Sequence, residues 1–117
     1  MMEEEDRMAI IDSLIVCKFI RNILDWNTLV EIYNFIFDTN IDIDELRNIT
    51  NKIISLSRKF NIREGFSRKD DYLPERVYKE PIFNKYGRKL ILDFKKYDKM
   101  LDEYYELRGW SKDGIPP

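Results

Sequence analysis

Cys17 is the only cysteine among the 117 residues, and it closes the segment Asp12-Ser-Leu-Ile-Val-Cys17. Iron–sulfur clusters and structural zinc sites need about four ligands each, so one thiolate cannot complete either kind of site. Cys17 is therefore interpreted in two ways: as a small buried apolar residue, or as one ligand of a cluster whose other ligands lie elsewhere. Asp12 is five positions earlier, and only a break in a helix would let both side chains reach one ligand.

The composition argues against a self-contained active site. Histidine, the commonest general base near neutral pH and the commonest metal ligand, is absent. The formal charge of −2 and the pI near 5.3 lack the basic footprint of nucleic-acid-binding domains. A lone cysteine, an acidic N-terminus and short apolar runs predict a cytoplasmic protein that binds neither nucleic acid nor membrane.

A second charged tract, from Arg63 to Asp71, holds three cations and three anions within nine residues. The charge pattern favours a solvated loop with local ion pairs. Its arginines could instead bind a phosphate through their bidentate forks. Asp70 and Asp71 as a hard-cation site is the weakest interpretation, because such sites collect about six oxygens.

The elements that would position these residues begin with a helix predicted from Glu4 to Asp25. Its stretch from Ile10 to Ile20 is almost continuously apolar, which predicts burial on several sides. Asp12 and Ser13 would then need hydrogen-bond partners inside the core.

Capping boxes predict the next two helices. Thr28 with Glu31 begins the second, which ends near Asp38, and Asp42 with Glu45 begins the third. The apolar faces are expected to be formed by Leu29, Ile32, Tyr33, Ile36 and Phe37 in the second helix, and by Leu46, Ile49, Ile53, Leu56 and Phe60 in the third.

An irregular charged connector follows, and Gly65 is predicted to end the third helix. Short strands are possible at Val77-Tyr78 and Leu90-Ile-Leu92, and Asn84 signals a turn. The last helix begins at an Asp93 cap, ends at Gly109 and carries an aromatic face that is expected to be core rather than a base-stacking surface. The predicted fold class is all-α, with about four helices in a single domain over residues 1–117.

Three tracts in order resemble the C-terminal domain of the aldehyde ferredoxin oxidoreductase family of tungsten-pterin enzymes. Asp12-Ser-Leu-Ile-Val-Cys-Lys-Phe19 is similar to the family's Asp-x-x-Gly-Leu-Cys element. The other two tracts are Asn61-Ile-Arg-Glu-Gly-Phe-Ser-Arg-Lys-Asp-Asp-Tyr-Leu-Pro-Glu-Arg76, and Leu101-Asp-Glu-Tyr-Tyr-Glu-Leu-Arg-Gly-Trp110 with the Asp113-Gly-Ile-Pro116 ending. The resemblance covers nearly the whole chain.

The resemblance implies specific roles for the first tract. Cys17 would be the fourth ligand of a [4Fe-4S] cluster, Asp12 would hydrogen-bond a pterin, and the backbone of Ile15 and Val16 would line that cofactor. The full enzyme oxidises aldehydes to carboxylic acids and passes electrons to ferredoxin. Its remaining cluster ligands and pterin-binding domain have no counterpart in this sequence, so the cluster and the tungsten-pterin are expected only where a partner chain completes the site, and none is expected for the isolated chain.

Ile15 and Val16 stand where the family has glycine and leucine. A β-branched residue restricts the backbone where glycine allows close approach to a cofactor, and it favours continuation of the helix across the motif. Two hypotheses follow. The chain is a detached C-terminal domain or split subunit, inactive alone and completed by a complementary oxidoreductase chain; or it is a non-enzymatic helical interaction module that kept the fold and lost the cofactor site, and that serves self-association as a homo-oligomer or another partner.

Overall fold

The structure is a computed structural model, which describes residues 2–83, 85–87 and 89–117. The chain divides into two compact units, Met1–Ser57 and Arg58–Pro117. The turn predicted at Asn84 lies outside the described residues. The single-domain organisation predicted from length stays a prediction.

The first unit contains helix α1 (Met2–Ser13), a 3-10 segment (Lys18–Ile23), helix α2 (Trp26–Phe37) and most of helix α3 (Ile43–Arg63). Its core is a cluster of buried apolar side chains drawn from all three helices and the turn before α2: Ile10, Ile11, Leu24, Trp26, Leu29 and Leu46. Half-buried apolar side chains surround this cluster.

Helix α1 is shorter than predicted. It ends at Ser13, and the 3-10 segment occupies half of the remaining stretch up to Asp25. The prediction of burial on several sides was also wrong, because Ile10 and Ile11 are buried while the residues from Phe19 to Ile23 are exposed. A single helical stripe is enough to seat α1 on the core.

The N-cap of helix α2 lies three residues before the position predicted from the capping box. Its N-cap is Asp25, whose carboxylate accepts a hydrogen bond from the Thr28 amide at 2.9 Å. Aspartate caps at least as well as threonine, so the earlier site wins. The helix ends at Asp38, which takes a left-handed conformation close to the predicted end.

Helix α3 begins at the predicted box. The Glu45 amide donates to Asp42 at 2.8 Å, and the Asp42 amide donates to Glu45 at 3.1 Å. The buried stripe differs from the predicted apolar face: Leu46, Thr50 and Arg58 are buried, whereas Leu56 and Phe60 are exposed. The helix ends through Gly65, as predicted.

The second unit continues with a 3-10 turn (Arg68–Asp71), helix α4 (Arg76–Lys79), strands β1 (Ile82–Phe83) and β2 (Lys89–Leu90), and helix α5 (Phe94–Arg108). The strands pair antiparallel, with Ile82 opposite Leu90. Val77 and Tyr78 lie in α4, so the strand predicted there is wrong, and of Leu90 to Leu92 only Leu90 is paired.

Helix α5 has the predicted ends. Asp93 accepts from the Lys96 amide at 3.1 Å, and Gly109 closes the helix in a left-handed conformation. Tyr105 is buried and packs against Tyr104 and Trp110, so the aromatic face is core. The mostly helical fold class is confirmed: among the described residues, four helices of twelve or more residues dominate over one short hairpin. None of the described helices has the length and apolar character needed to cross a bilayer.

Candidate functional site

The end of α1 shapes the segment that carries Cys17. The Val16 amide donates to the Ile11 carbonyl at 3.0 Å, and the Ile15 amide donates to the Asp12 carbonyl at 3.1 Å. This pair of bonds is the Schellman motif, which is completed here by Val16 packing against the core cluster that contains Ile11. The motif turns the chain sharply between Asp12 and Cys17.

Ile15 provides the turn with a backbone φ of +57°. This is the left-handed region, which is unfavourable for residues with a Cβ and most unfavourable for β-branched ones. Helix continuation across the motif, expected from the isoleucine, is therefore wrong, because α1 ends at Ser13 and Ile15 turns the chain. The Ile15 side chain is 93% exposed, so burial does not offset the strain.

Cys17 follows the turn and is exposed. It caps the 3-10 segment with an extended backbone, and its carbonyl accepts from the Ile20 amide at 3.2 Å. The interpretation as a buried apolar cysteine is excluded by this exposure. The thiol stands on the surface of the first unit, where a group outside the chain can reach it.

Asp12 is exposed on the last turn of α1 rather than enclosed in a core. Its carboxylate pairs with the Lys18 ammonium at 3.0 Å, and Lys18 directly follows Cys17. The ion pair connects the last turn of α1 to the residue that follows Cys17. The neighbouring Ser13 hydroxyl donates to the Ala9 carbonyl at 2.7 Å.

The backbone of Ile15 and Val16 has its two amides committed to the α1 carbonyls. Val16 is half-buried against the core, while Ile15 projects outward. The turn thus places Asp12, Ile15 and Cys17 on one short exposed segment, with Val16 as its attachment to the core. A group of three or more histidine, cysteine, aspartate or glutamate side chains able to hold a metal ion is absent from residues 2–83, 85–87 and 89–117.

Large apolar side chains surround Cys17 in sequence and are exposed. Phe19 is 91% exposed, close to the 93% of Ile15, and Ile23 is 73% exposed. We call Ile15, Phe19 and Ile23 the apolar rim. The exposed apolar residues of this stretch lie from Ile15 onward, because Ile10 and Ile11 turn into the core.

The charged tract of the second unit is tied into the protein. The Arg58 guanidinium donates two hydrogen bonds, of 2.8 and 2.6 Å, to the Asp71 carboxylate. Its Nε donates to the Gly114 carbonyl at 2.9 Å. The Tyr105 hydroxyl also donates to Asp71. Burial works to lower the pKa of Arg58, but the bonds to Asp71 outweigh it and raise that pKa. Burial and the Asp71 bond raise the pKa of Tyr105.

Arg68 joins the same tract to α5 and to the C-terminal tail. Its guanidinium reaches Asp98 and Asp102, each at 2.7 Å, and donates to the Lys112 carbonyl at 2.6 Å. The hydrogen bond from Tyr72 and the bond from Arg68 lower the pKa of Asp98. Arg68 is therefore engaged within the protein, which removes the main support for a phosphate site here. The neighbouring Asp70 caps the 3-10 turn by accepting from the Ser67 amide at 2.8 Å.

Arg58 is the residue that sequence reasoning missed. It lies on the buried stripe of α3, eight positions after Thr50 and twelve after Leu46. These multiples of four were the available signal, but an arginine on an apolar stripe is usually assigned to the surface. Its partner Asp71 gave the other hint, since a buried arginine requires a carboxylate.

Comparison with known proteins decides what this arrangement belongs to. The family model described as aldehyde ferredoxin oxidoreductase, domains 2 and 3, matches residues 1–117. The chain belongs to the aldehyde ferredoxin oxidoreductase family. The residues of this family match include both the Cys17 turn and the Arg58–Asp71 network.

The curated relatives are tungsten-containing aldehyde ferredoxin oxidoreductases. Those of Pyrococcus horikoshii and Pyrococcus furiosus are each 30% identical over 114 residues, and that of Thermococcus kodakarensis is 29% identical. Each match covers 97% of this chain but 18% of the relative. The chain thus spans about a fifth of the length of these relatives and corresponds to their C-terminal domain region. No solved structure matches it significantly.

Proposed function

We propose that the chain serves as the C-terminal part of a tungsten-dependent aldehyde oxidoreductase, inactive alone and completed by a polypeptide that carries the rest of the family's sequence. The observation that supports this most directly is the exposed Cys17 on a turn that breaks α1. A structural cysteine would be buried, whereas a shared ligand must be reachable from outside. Each matching relative is a tungsten enzyme by name.

In this proposal Cys17 gives one thiolate to a [4Fe-4S] cluster, and Asp12 accepts a hydrogen bond from a pterin. The donor set fits a shared site and not a complete one, because one thiolate supplies one of about four ligands. When bound, the tungsten-pterin and cluster would supply oxidation of an aldehyde to a carboxylate and transfer of the electrons to ferredoxin. The chain's own part is to present Cys17 and Asp12 on either side of the Ile15 turn. A cytoplasmic location belongs to the same proposal.

Asp12 must be released from Lys18 to bind a pterin. Their ion pair is exposed on both sides, with side-chain exposures of 53% and 59%. Exposed pairs of this kind are worth less than about 1 kcal/mol, so the carboxylate is easily freed. Lys18 would then be available to meet a phosphate of the cofactor.

The experiment is anaerobic co-purification of the chain with the polypeptide carrying the rest of the family's sequence, followed by iron and tungsten analysis and cluster absorbance. The proposal expects metal in the complex and loss of cluster iron or its spectrum in Cys17→Ala. Cys17→Ser keeps the size of the side chain and should perturb the cluster spectrum rather than the fold. Cluster iron and spectrum that do not respond to Cys17→Ala contradict the proposal.

The alternative function is a non-enzymatic interaction module. The specific observation in its favour is Ile15, whose exposed β-branched side chain stands where the family has glycine. A metal-free homo-oligomer, indifferent to Cys17→Ala and formed through the apolar rim, is the result that would establish this alternative. Size-exclusion chromatography with light scattering measures it directly.

A further inference from the structure

We propose that the apolar rim is the docking surface for the polypeptide that carries the family's sequence outside the matched stretch, with Ile15 as the anchor. This inference rests on the proposed function and assigns the surface that would bring the two polypeptides together. Ile15, Phe19 and Ile23 are 93%, 91% and 73% exposed. Three large exposed apolar residues within one nine-residue segment indicate an interaction site.

Ile15 is the residue that singles out this surface. Its left-handed backbone is unfavourable, and its exposed side chain contributes almost nothing to the core of the first unit. The helices α3 and α5 end in the same hydrogen-bonding motif with Gly65 and Gly109 at the equivalent position. No packing within the chain offsets the backbone strain at Ile15, and this points to a contact with another polypeptide.

The segment that bears the rim is held in a fixed conformation. The Arg7 guanidinium, anchored on α1, donates to the Arg21 carbonyl at 2.7 Å. The Arg21 side chain donates back to the Lys18 carbonyl at 3.3 Å, and Lys18 pairs with Asp12. Such preorganisation lowers the entropy lost on binding.

The length of the relatives identifies the occupant. The matched stretch is 18% of each relative, so about 82% of the family's sequence (100 − 18) lies outside it. Cys17 sits within the rim's own sequence span, and any polypeptide that brings the remaining cluster ligands to Cys17 must cover its neighbours.

Other exposed apolar residues provide matched controls. Phe35 on α2 is 89% exposed and Leu56 on α3 is 70% exposed. Both have helical backbones, and neither belongs to the rim. These two residues distinguish specific binding at the apolar rim from nonspecific hydrophobic association.

The test is site-specific photo-crosslinking in the cells that make the protein. A benzophenone amino acid replaces Phe19 in one variant and Phe35 in the other, and crosslinked peptides are identified by mass spectrometry. Position 19 is expected to crosslink to peptides that match the family outside the stretch covered here, and position 35 is not. Crosslinks only to a second copy, equal yields from both positions, or none at position 19 overturn the proposal.

The anchor is tested with Ile15→Gly introduced beside the crosslinker at position 19. The crosslink yield should fall roughly tenfold, the effect of a strong interface residue, while the free chain becomes more stable. Leu56→Gly should instead make the free chain less stable and leave the crosslink yield unchanged. An unchanged yield in Ile15→Gly shows that Ile15 is not the anchor.

Cys17→Ala separates this inference from the proposed function. If the crosslink persists and cluster iron does not depend on Cys17, the docking surface stands and the shared-cluster function fails. If cluster iron depends on Cys17 while the position 19 crosslink is absent, the function stands and the docking surface fails.

Discussion

Ile15 combines a left-handed backbone, a β-branched side chain and nearly full exposure. A left-handed residue is common just after the last turn of a helix, but it is usually glycine, which lacks a Cβ, so the β-branched side chain is the uncommon feature here. The packing of Val16 against the core and the two amide bonds to α1 keep the turn in place despite the strain. Local interactions on either side of Ile15 therefore impose its conformation.

Ile15→Gly should stabilise the free chain. A residue with a Cβ in the left-handed region loses about 1–2 kcal/mol, and glycine's extra unfolded-state freedom offsets about 0.5–1 kcal/mol of the relief, which leaves a gain of up to about 1.5 kcal/mol. Urea unfolding followed by circular dichroism measures the change. Leu56→Gly, in the middle of α3, should instead cost about 1 kcal/mol; a loss of stability in Ile15→Gly would contradict the strain.

Gly114 is required for a different reason, the close approach of its neighbours. A Cβ placed there would lie 2.6 Å from the Tyr105 ring and 2.8 Å from an Arg58 nitrogen. Gly109 has nearly the same backbone, with φ of +71° against +70°, but nothing lies within 4 Å of its Cβ position. The two glycines separate backbone strain from steric crowding.

Gly114→Ala should therefore destabilise the second unit more than Gly109→Ala does. Gly109→Ala is expected to cost about 1–2 kcal/mol from backbone strain alone. Gly114→Ala adds displacement of Tyr105 and Arg58, with a further loss of about 1–3 kcal/mol typical of overpacking. Chemical denaturation of both variants measures the difference, and equal losses would show that the tail moves aside freely.

At the scale of elements, the ends of the helices are set by caps that compete over a few residues. Asp25 and Thr28 are both suitable caps, and Asp25 begins α2 because its carboxylate accepts from the Thr28 amide. That hydrogen bond from the Thr28 amide lowers the pKa of Asp25. The Thr28 amide makes the larger contribution to the lowered Asp25 pKa, and the Thr28 side chain makes a smaller one in the same direction.

Asp25→Ala should weaken the first unit more than Thr28→Ala does. Loss of an N-cap side chain typically raises the unfolding equilibrium constant roughly fivefold. Thr28→Ala retains the amide that Asp25 accepts from, so its effect should be smaller. Thermal unfolding compares the two variants; a larger loss in Thr28→Ala would restore Thr28 as the cap.

Local chemistry predicted these elements well, and burial was harder to predict. The Asp42–Glu45 box, the Asp93 cap and the helix ends at Gly65 and Gly109 depend on neighbouring residues, and all were predictable. Which apolar faces of the helices are exposed could not be predicted from the sequence. Apolar spacing placed Leu56 and Phe60 in a core, yet both are exposed, because spacing identifies an apolar face without saying which polypeptide covers it.

The candidate site also combines features that could be predicted from the sequence with features that could not. The motif around Cys17 was visible in sequence, but the break in α1 was not, because isoleucine argues for continuation of a helix. Arg58 and Asp71 are 13 residues apart in sequence and meet only through folding. The spacing on α3 was a hint that Arg58 is buried, but no local pattern identifies Asp71 as its partner.

At the scale of the whole molecule, the chain exposes large apolar residues in both units, including Ile82 and Phe83 in the hairpin and Leu107 on α5. Polar networks hold the second unit together beside these surfaces. The Arg58–Asp71 and Arg68–Asp98 pairs each join separate segments through carboxylates. Stability should therefore depend on the ionisation of Asp98, whose pKa is lowered in the folded protein.

Acid should destabilise the chain, and Tyr72 should contribute to this sensitivity. The pKa of Asp98 is lowered in the folded protein by its bonds from Tyr72 and Arg68. A depressed folded pKa gives stability that is present above the unfolded value of about 3.9 and is lost as the pH falls through the folded pKa. Asp25 and Asp70 act in the same direction. Urea midpoints should therefore fall between about pH 5 and pH 3.

Tyr72→Phe removes the hydrogen bond to Asp98 and keeps the ring. The Asp98 pKa should then rise toward its ordinary value, so the variant is less stable at pH 7 and loses less on acidification. Asp98→Asn, which cannot ionise, should reduce the acid-induced loss further, since it also ends the charge pairing with Arg68. Urea unfolding of the parent and both variants at several pH values measures these slopes. Three parallel curves would mean that the Tyr72–Asp98–Arg68 contacts do not stabilise the carboxylate, and acid sensitivity would then have to come from other groups.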